Sequence, residues 1–225
     1  MTNNTQNSGD ARFSLLRNMT TSITLILAVC VPCIGKSLLV SPEERSYETT
    51  IVSWFHKNSP SFLAGFSNIL ATVFSTKGCI VLIILLAILS YILIRDWHVL
   101  LIQLLISLLP MVYIFAVKFA VHRPRPYIGL SLKLPPDPSF PSGHTSAAVA
   151  VCTMLMLIIY VVKPKLTQIM LILCGVVVII VAISRLIVAA HFPTDVLAAA
   201  IIYPLLSATL LKVFQNHGLY ISNEN

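Results

Sequence analysis

A histidine and an aspartate lie four residues apart just beyond an apolar stretch of the chain. His191 precedes Asp195 in the segment His-Phe-Pro-Thr-Asp, in which Pro193 is typical of the first turn of a helix. Asp195 can therefore reach back to His191 and hold one ring nitrogen, which fixes the tautomer and supports positive charge on the ring. An imidazole oriented in this way is a candidate nucleophile. A plainer interpretation, in which Asp195 only caps the helix beside an unused histidine, stays open.

A second histidine opens another apolar stretch. Pro141, Ser142 and Gly143 precede His144, and residues of these types before a long apolar run predict the start of a helix. A helix N-terminus presents unpaired N–H groups and the positive end of the helix dipole, which together can bind an anion. Gly143 would let the backbone approach a ligand closely. We interpret His144 as a candidate proton donor, although a plain helix cap with His144 at the membrane interface is the alternative.

Three cations are candidates to bind that anion. Arg185 lies inside an apolar stretch, where a charge is costly and a functional site is the default hypothesis. Helical geometry is disfavoured at Arg123 and Arg125, because each of them precedes a proline. Lys118 should therefore end a helix, and Arg125 should lie in the extended segment that follows. Lys118 and Arg125 could instead be cations that reach from the membrane edge toward water. His122 and Arg123 are interpreted either as contacts that support the site or a lipid headgroup, or as interface residues.

Together these residues are suited to phosphoryl transfer. A transferring phosphoryl group spreads charge over three oxygens, and the three cations, Ser142 and helix N–H groups could stabilise that charge. An in-line displacement needs a nucleophile on one side, for which His191 is the candidate, and an acid on the other, for which His144 is the candidate. The sequence has no carboxylate cluster typical of Mg²⁺ and no His/Cys set with zinc spacing. We therefore expect neither a metal nor another cofactor.

The composition indicates that lipid is the solvent for much of this chain. Of its residues, 57% are hydrophobic and only 10% are charged, against about 25% charged in a typical soluble domain. The net charge of +7 comes without a run of Lys and Arg, so nucleic-acid binding is not expected. Six segments approach the roughly 20 apolar residues that a spanning helix needs. They are residues 20–40, 79–94, 99–117, 145–162, 166–189 and 195–211.

These segments predict an all-α fold, a six-span transmembrane helical bundle with a short interfacial helix after the first span. We expect the interfacial helix at residues 47–57, and we do not count the interrupted apolar piece at residues 62–74 as a span. The predicted division is a disordered N-terminal tail at 1–18, a membrane domain at 19–214 and a C-terminal tail at 215–225.

An even number of spans puts both termini on one side of the membrane and all three chemical clusters on the other. The distribution of Lys and Arg does not settle the orientation. We expect cytoplasmic termini and an active site on the extracytoplasmic face of the cell membrane.

Three motifs in this order, K-x6-R-P, P-S-G-H and S-R-x5-H-x3-D, resemble the type 2 phosphatidic acid phosphatase family. That family also includes bacterial phosphatidylglycerophosphatase B, undecaprenyl-diphosphate phosphatases and vanadium haloperoxidases. The resemblance implies a phosphohistidine intermediate on His191, with His144 as the acid and no metal. It also implies that Lys118, Arg125, Ser142, Gly143 and Arg185 hold the phosphate. The matching residues are Lys118, Arg125, Pro126, Pro141, Ser142, Gly143, His144, Ser184, Arg185, His191 and Asp195.

The favoured function is a metal-independent lipid phosphatase whose partner is its membrane lipid substrate, with no obligate protein partner evident. Candidate substrates are undecaprenyl diphosphate, phosphatidylglycerol phosphate and phosphatidic acid. A vanadate-dependent peroxidase is a weaker alternative, because halide oxidation does not need six spans. A transporter or binding protein for an anionic lipid headgroup is the other alternative. It would use Arg185 but would leave His191 and Asp195 without a role.

Overall fold

The computed structural model describes residues 3–40, 42–128 and 136–220, with side chains described for residues 21–39, 47–128 and 136–220. All regular structure in these ranges is helical, which confirms the predicted all-α fold. A single 3-10 turn, Pro164–Leu166, precedes the seventh α-helix. The α-helices are α1 (Asn3–Val40), α2 (Pro42–Asn58), α3 (Ser61–Val73), α4 (Thr76–Ile94), α5 (Trp97–Val121), α6 (Gly143–Val162), α7 (Thr167–Ile187) and α8 (Pro193–Asn216).

Six of the described helical segments are long and apolar enough to cross a membrane, as predicted. Their outward faces are strongly apolar; Leu171 and Ile172 on α7, for example, are 62% and 68% exposed. Such a surface suits acyl chains, and a helix satisfies its own backbone hydrogen bonds where water is absent. The segments are Thr21–Leu39, Thr76–Ile94, Trp97–Val121, Gly143–Val162, Pro164–Ile187 and Pro193–Asn216.

Two shorter helices connect the first and second spans. The predicted interfacial helix is present as α2, and it extends beyond residues 47–57 at its N-terminal end. The interrupted apolar piece forms α3, which has 13 residues and packs against α7. At about 1.5 Å per residue, α3 is too short to span a bilayer, in agreement with its exclusion from the predicted spans.

Helix α6 lies at the centre of the bundle. It packs against α4, α5, α7 and α8, and the buried share of its span is 56%, compared with 33% or less for each of the other five. Small residues line this helix, and Ala148 and Ala150 are fully buried. Their small side chains let the neighbouring helices approach closely. The N-terminus of α6 is therefore surrounded by the ends of other spans.

The structure describes part of each predicted tail. Helix α1 begins at Asn3, within the residues 1–18 that were predicted as an N-terminal tail. After α8 ends at Asn216, Tyr220 is buried; its hydroxyl accepts a hydrogen bond from Gln103 Nε2 (3.1 Å) and donates one to the Leu157 carbonyl (3.3 Å). Part of the predicted C-terminal tail thus packs on the bundle. The remaining residues, 221–225, lie outside the described part, and the domain limits stay a prediction.

Candidate active site

The fold brings all eight predicted site residues to one end of the bundle. Successive spans run in opposite directions, so the C-terminal ends of α5 and α7 meet the N-terminal ends of α6 and α8. The backbone N–H of Ser142 donates to the Asp195 carbonyl oxygen (3.0 Å), which joins the starts of α6 and α8 directly. The residues placed here are Lys118, Arg125, Ser142, Gly143, His144, Arg185, His191 and Asp195.

His191 is buried between a carboxylate and a cation. Its Nδ1 lies 3.4 Å from Asp195 Oδ2, and its Nε2 lies 3.3 Å from Arg125 Nη1. Within the described part of the chain, Nδ1 has no closer hydrogen-bond partner, so the contact with Asp195 is a long one. Burial lowers the pKa of His191, an effect that outweighs the opposing influence of Asp195. A neutral imidazole with its Nδ1 proton directed at Asp195 keeps Nε2 unprotonated, and its lone pair here accepts from Arg125 Nη1.

Asp195 is held by the start of its own helix as well as by a neighbouring cation. Its Oδ2 accepts the backbone N–H of Phe192 at 2.8 Å, and its Oδ1 accepts from Arg123 Nη1 at 2.7 Å. Asp195 lies four residues after His191, in the first turn of α8, and this position brings the two side chains together as predicted. The orientation of the carboxylate depends in addition on Arg123.

The start of α6 supplies donors on the other side of the site. Ser142 caps the helix, since its Oγ accepts from Thr145 N (3.4 Å) and from Thr145 Oγ1 (3.0 Å). These contacts leave the Ser142 hydroxyl proton free to donate to a ligand. An added Cβ at Gly143 would meet only Lys118 Nζ within 4 Å, at 3.8 Å. This is an ordinary van der Waals distance, and it shows that Gly143 lies beside the Lys118 ammonium group.

His144 faces His191 across the space between α6 and the loop before α8. The two ring centroids are 6.5 Å apart, and His144 is only partly buried, whereas His191 is fully buried. This arrangement places the two histidines close together, with Arg125 and Lys118 near His191 and with Arg185 and Arg125 near His144. It is compatible with a nucleophile and an acid acting on opposite sides of one phosphorus atom.

Arg185 and Arg125 are each fixed by backbone carbonyls. Arg185 is 2% exposed, and its Nη2 donates to the Ser67 carbonyl of α3 at 2.5 Å and to Ser184 Oγ at 3.0 Å. Arg125 Nη1 donates to the Ala190 carbonyl at 2.8 Å. A cation buried in a membrane protein is expected to have such partners, and they hold both guanidinium groups in position before a ligand binds.

Asp137 is a site residue that the sequence analysis missed. Its carboxylate joins two predicted phosphate ligands, at 2.6 Å from Lys118 Nζ and 2.9 Å from Arg125 Nη2. Burial alone would raise the pKa of Asp137, but the hydrogen bond and charge of Lys118, together with Arg125, lower this pKa to about 2. An anion therefore already occupies part of the cationic surface. Asp137 lies in a proline-rich loop with no periodic pattern, so the sequence carried no signal for this contact.

Arg123 and Glu48 form a second missed cluster. The sequence analysis interpreted Arg123 either as a contact that supports the site or as an interface residue. In the structure Arg123 is 1% exposed, and it pairs with both Asp195 and Glu48. Its neighbour His122 is exposed and ends α5 with a positive φ of 57°. Glu48 comes from α2, and nothing in the spacing of residues around it indicated a contact with the site.

The described residues contain no group of three or more His, Cys, Asp or Glu side chains placed to hold a metal ion. This finding concerns only the side chains that could bind a metal, and metal-independent activity stays a prediction. The cationic and hydrogen-bonding groups described above are the ones available to bind an anion.

Comparisons with known proteins bear on the family and the fold of the chain. Residues 97–218 match the family model of the PAP2 superfamily, and this range contains all eight predicted site residues. A solved structure described as the first transmembrane PAP2 type phosphatidylglycerolphosphate phosphatase from Bacillus subtilis is similar in fold. The TM-score is 0.71 at 20% sequence identity, and the match covers 93% of this chain and 98% of that chain. A comparison with curated proteins finds no matching sequence.

Proposed function

Because the chain belongs to the PAP2 superfamily, we propose that it is an integral membrane phosphatase that removes phosphate from a membrane lipid. The observation that carries the proposal is the environment of His191. Its Nδ1 faces Asp195 and its Nε2 faces Arg125, while His144 lies across the same space. Neither a transporter nor a headgroup-binding protein requires an imidazole held in this way.

Substrate binding starts with the phosphate oxygens. Lys118, Arg125 and Arg185 offset their charge, and the Ser142 hydroxyl donates a further hydrogen bond. The cap of α6 uses the N–H groups of Thr145 and Ser146. Among the first N–H groups of this helix, those of Gly143 and His144 are therefore the ones proposed to bind the phosphate.

In the first chemical step, His191 Nε2 attacks phosphorus, and the bond between phosphorus and the lipid oxygen breaks. His144 donates a proton to that oxygen, so the lipid leaves as an alcohol or, from a diphosphate, as a monophosphate. Asp195 stabilises the positive charge that develops on the His191 ring. In the second step His144 takes a proton from water, the water oxygen attacks phosphorus, and the phosphorus–nitrogen bond breaks to release phosphate.

Asp137 must give way before this chemistry can start. Its carboxylate is bound to Lys118 and Arg125, the two cations that the phosphate needs. The Asp137 side chain is 40% exposed, so it can turn toward water as a phosphate replaces it. This exchange of one anion for another keeps both cations paired before and after the substrate binds.

The proposed substrates are undecaprenyl diphosphate, phosphatidylglycerol phosphate and phosphatidic acid. Phosphatidylglycerol phosphate is the first to test, because the solved structure with the similar fold is described as a phosphatase of that lipid. We propose further that the enzyme needs no metal, cofactor or obligate protein partner. We place it in the cell membrane with both termini in the cytoplasm and the site on the extracytoplasmic face.

A phosphate-release assay with the purified protein in detergent tests the proposal. The three lipids are presented separately, each with and without EDTA, and His191→Ala serves as the inactive control. We expect release from at least one lipid, at the same rate in EDTA. Loss of activity that Mg²⁺ restores would contradict the metal-free mechanism. Lipid binding without any release would favour a headgroup-binding protein instead.

A further inference from the structure

A buried cluster of three charged side chains lies behind the proposed nucleophile, away from the phosphate site. Arg123 is at its centre: Nη1 donates to Asp195 Oδ1 at 2.7 Å, and Nη2 pairs closely with Glu48 Oε2. The guanidinium carbon also lies 4.2 Å from the centroid of the Phe192 ring. Arg123 thus connects the interfacial helix α2 to the first turn of α8.

Glu48 also binds α8 directly. Its Oε1 accepts the backbone N–H of Thr194 at 3.0 Å and the Thr194 hydroxyl at 2.6 Å. Phe192, the residue before α8, has no side-chain oxygen that could cap this helix. A carboxylate at a helix N-terminus satisfies a free N–H group and interacts favourably with the helix dipole. Glu48 therefore fixes the turn of α8 that carries Asp195.

The charges of this cluster do not cancel. One guanidinium group faces two carboxylates, so the cluster carries a net charge of about −1. If Arg123 were paired with Asp195 alone, it would offset most of the charge that Asp195 presents to His191. Glu48 shares Arg123 and thereby leaves negative charge on the side of Asp195 that faces the imidazole.

We propose that Glu48 and Arg123 are a pair of positioning residues for the Asp195–His191 couple. Arg123 orients the Asp195 carboxylate, and Glu48 both anchors Arg123 and offsets its charge. Neither residue reaches the substrate. Glu48 lies outside residues 97–218, the range that matches the family model, so its role is assigned from the three-dimensional contacts. The effect on catalysis rests on the proposed function, in which His191 is the nucleophile.

The two positioning residues should shift the protonation of His191 in opposite directions. Arg123→Gln removes a positive charge next to Asp195, so His191 should hold its proton more tightly. Glu48→Gln removes a negative charge, so His191 should hold its proton less tightly. The other charged and titratable groups around His191 stay unchanged in both variants. They are Asp195 of α8, Lys118 of α5, Arg125 of the following segment, His144 of α6, and Asp137, which pairs with Lys118 and Arg125.

The kinetic test measures kcat and KM as a function of pH with p-nitrophenyl phosphate and with phosphatidylglycerol phosphate in detergent. The acid limb is the part of the pH profile in which kcat/KM falls as His191 becomes protonated. Both variants should lose kcat by about 10- to 100-fold, the loss that is typical when a group that orients a metal-binding histidine is removed, while KM changes little. The acid limb should move to higher pH in Arg123→Gln and to lower pH in Glu48→Gln. The double variant should return the limb toward its wild-type position. Titration of the substrate is common to all variants and cancels in this comparison.

Three controls separate positioning from a loss of structure. Lys57→Gln removes an exposed charge from α2 outside the cluster and should leave the limb unmoved. Thermal unfolding in detergent reports whether each variant is folded. Arg123→Lys keeps the charge but cannot bridge two carboxylates as a guanidinium does, so its limb should stay near that of the wild type while kcat falls. This variant and Glu48→Gln carry the test if Arg123→Gln does not fold.

A direct measurement makes the result independent of activity. NMR titration of ¹⁵N-histidine-labelled protein, with His191→Gln for assignment, follows His191 protonation in each folded variant. Opposite shifts in the charge variants support the positioning role. Shifts in the same direction, no shift in either, or an effect on KM alone would overturn it. If wild-type protein releases no phosphate, the proposed function fails, and the NMR titration still decides whether the cluster controls His191.

Discussion

Two buried polar regions of the bundle are built from different chemical groups. At the end that holds the candidate active site, buried cations pair with carboxylates: Lys118 with Asp137, and Arg123 with Asp195. At the other end, a neutral network joins α4, α5 and the chain beyond α8: Ser90 Oγ donates to Gln103 Oε1 (2.5 Å), and Gln103 Nε2 donates to Tyr220 (3.1 Å). Neutral hydrogen bonds are sufficient to join helices, whereas buried charges are costly in a membrane. The buried charges are therefore concentrated at the end of the bundle where the proposed reaction would take place.

The largest expected difference between the two ends concerns the nucleophile. His191→Ala should abolish phosphate release from every substrate and leave no phosphoenzyme, because His191 supplies the lone pair that attacks phosphorus in the proposed mechanism. Rapid-quench trapping of an acid-labile phosphohistidine in the wild type locates the intermediate. Trapping it on His144 would reverse the two assigned roles.

The cations should have the next largest effect. Arg185→Ala or Arg125→Ala leaves phosphate charge without a partner, and loss of one such donor typically costs about 100- to 1,000-fold in kcat. Lys163→Ala removes an exposed cation at the opposite end of the bundle and is the matched control. Near-normal turnover in both arginine variants would show that the phosphate binds elsewhere.

His144→Ala should have an effect that depends on the leaving group. A lipid alkoxide needs the proton that His144 supplies, whereas p-nitrophenolate leaves far more readily. The loss of kcat should therefore be much larger with a lipid phosphate monoester than with p-nitrophenyl phosphate, when both are assayed on the same preparation. Equal losses would argue that His144 binds the phosphate and does not transfer a proton.

Asp137→Asn should have a smaller effect than these variants, and it should improve substrate binding where the others reduce activity. Asparagine competes less well for Lys118 and Arg125, so KM should fall several-fold with little change in kcat. Since the pKa of Asp137 is lowered to about 2, the wild-type carboxylate is ionised throughout the neutral range, and its competition should not vary with pH there. The stabilisation from its ion pairs should be lost only as the pH falls from the ordinary aspartate range toward 2. A higher KM in Asp137→Asn would instead indicate that Asp137 organises the two cations.

The smallest effect on activity is expected at the neutral end. Gln103→Leu removes the residue that links Ser90 to Tyr220, at a cost of about 1 kcal/mol, a typical value for a hydrogen bond between membrane helices. Thermal unfolding in detergent should detect this loss while kcat and KM stay unchanged. A large fall in kcat would show that the two ends of the bundle are coupled.

The two ends also differ in how well the sequence predicted them. Lys118, His144, Arg185 and His191 were predicted as site residues from their types and from the clusters in which they occur. Arg185 was the clearest of them, because a charge inside an apolar segment is costly. The neutral network was not foreseen, since Ser90, Gln103 and Tyr220 each resemble an ordinary residue of a helix or a tail. The resemblance of the three motifs to one family added proposed roles that composition alone could not supply.

By itself, the sequence determined the spans and the side chains available for chemistry. In lipid, a long apolar segment has to satisfy its own backbone hydrogen bonds, so hydropathy and length predict a helix without knowledge of its neighbours. The tertiary structure alone decided which partners those side chains have. Glu48 meets Arg123, and Asp137 meets Lys118, only because α2 and the loop before α6 pack over the ends of α5 and α8. Such contacts depend on how whole helices pack, and local spacing along the chain contains no record of that packing.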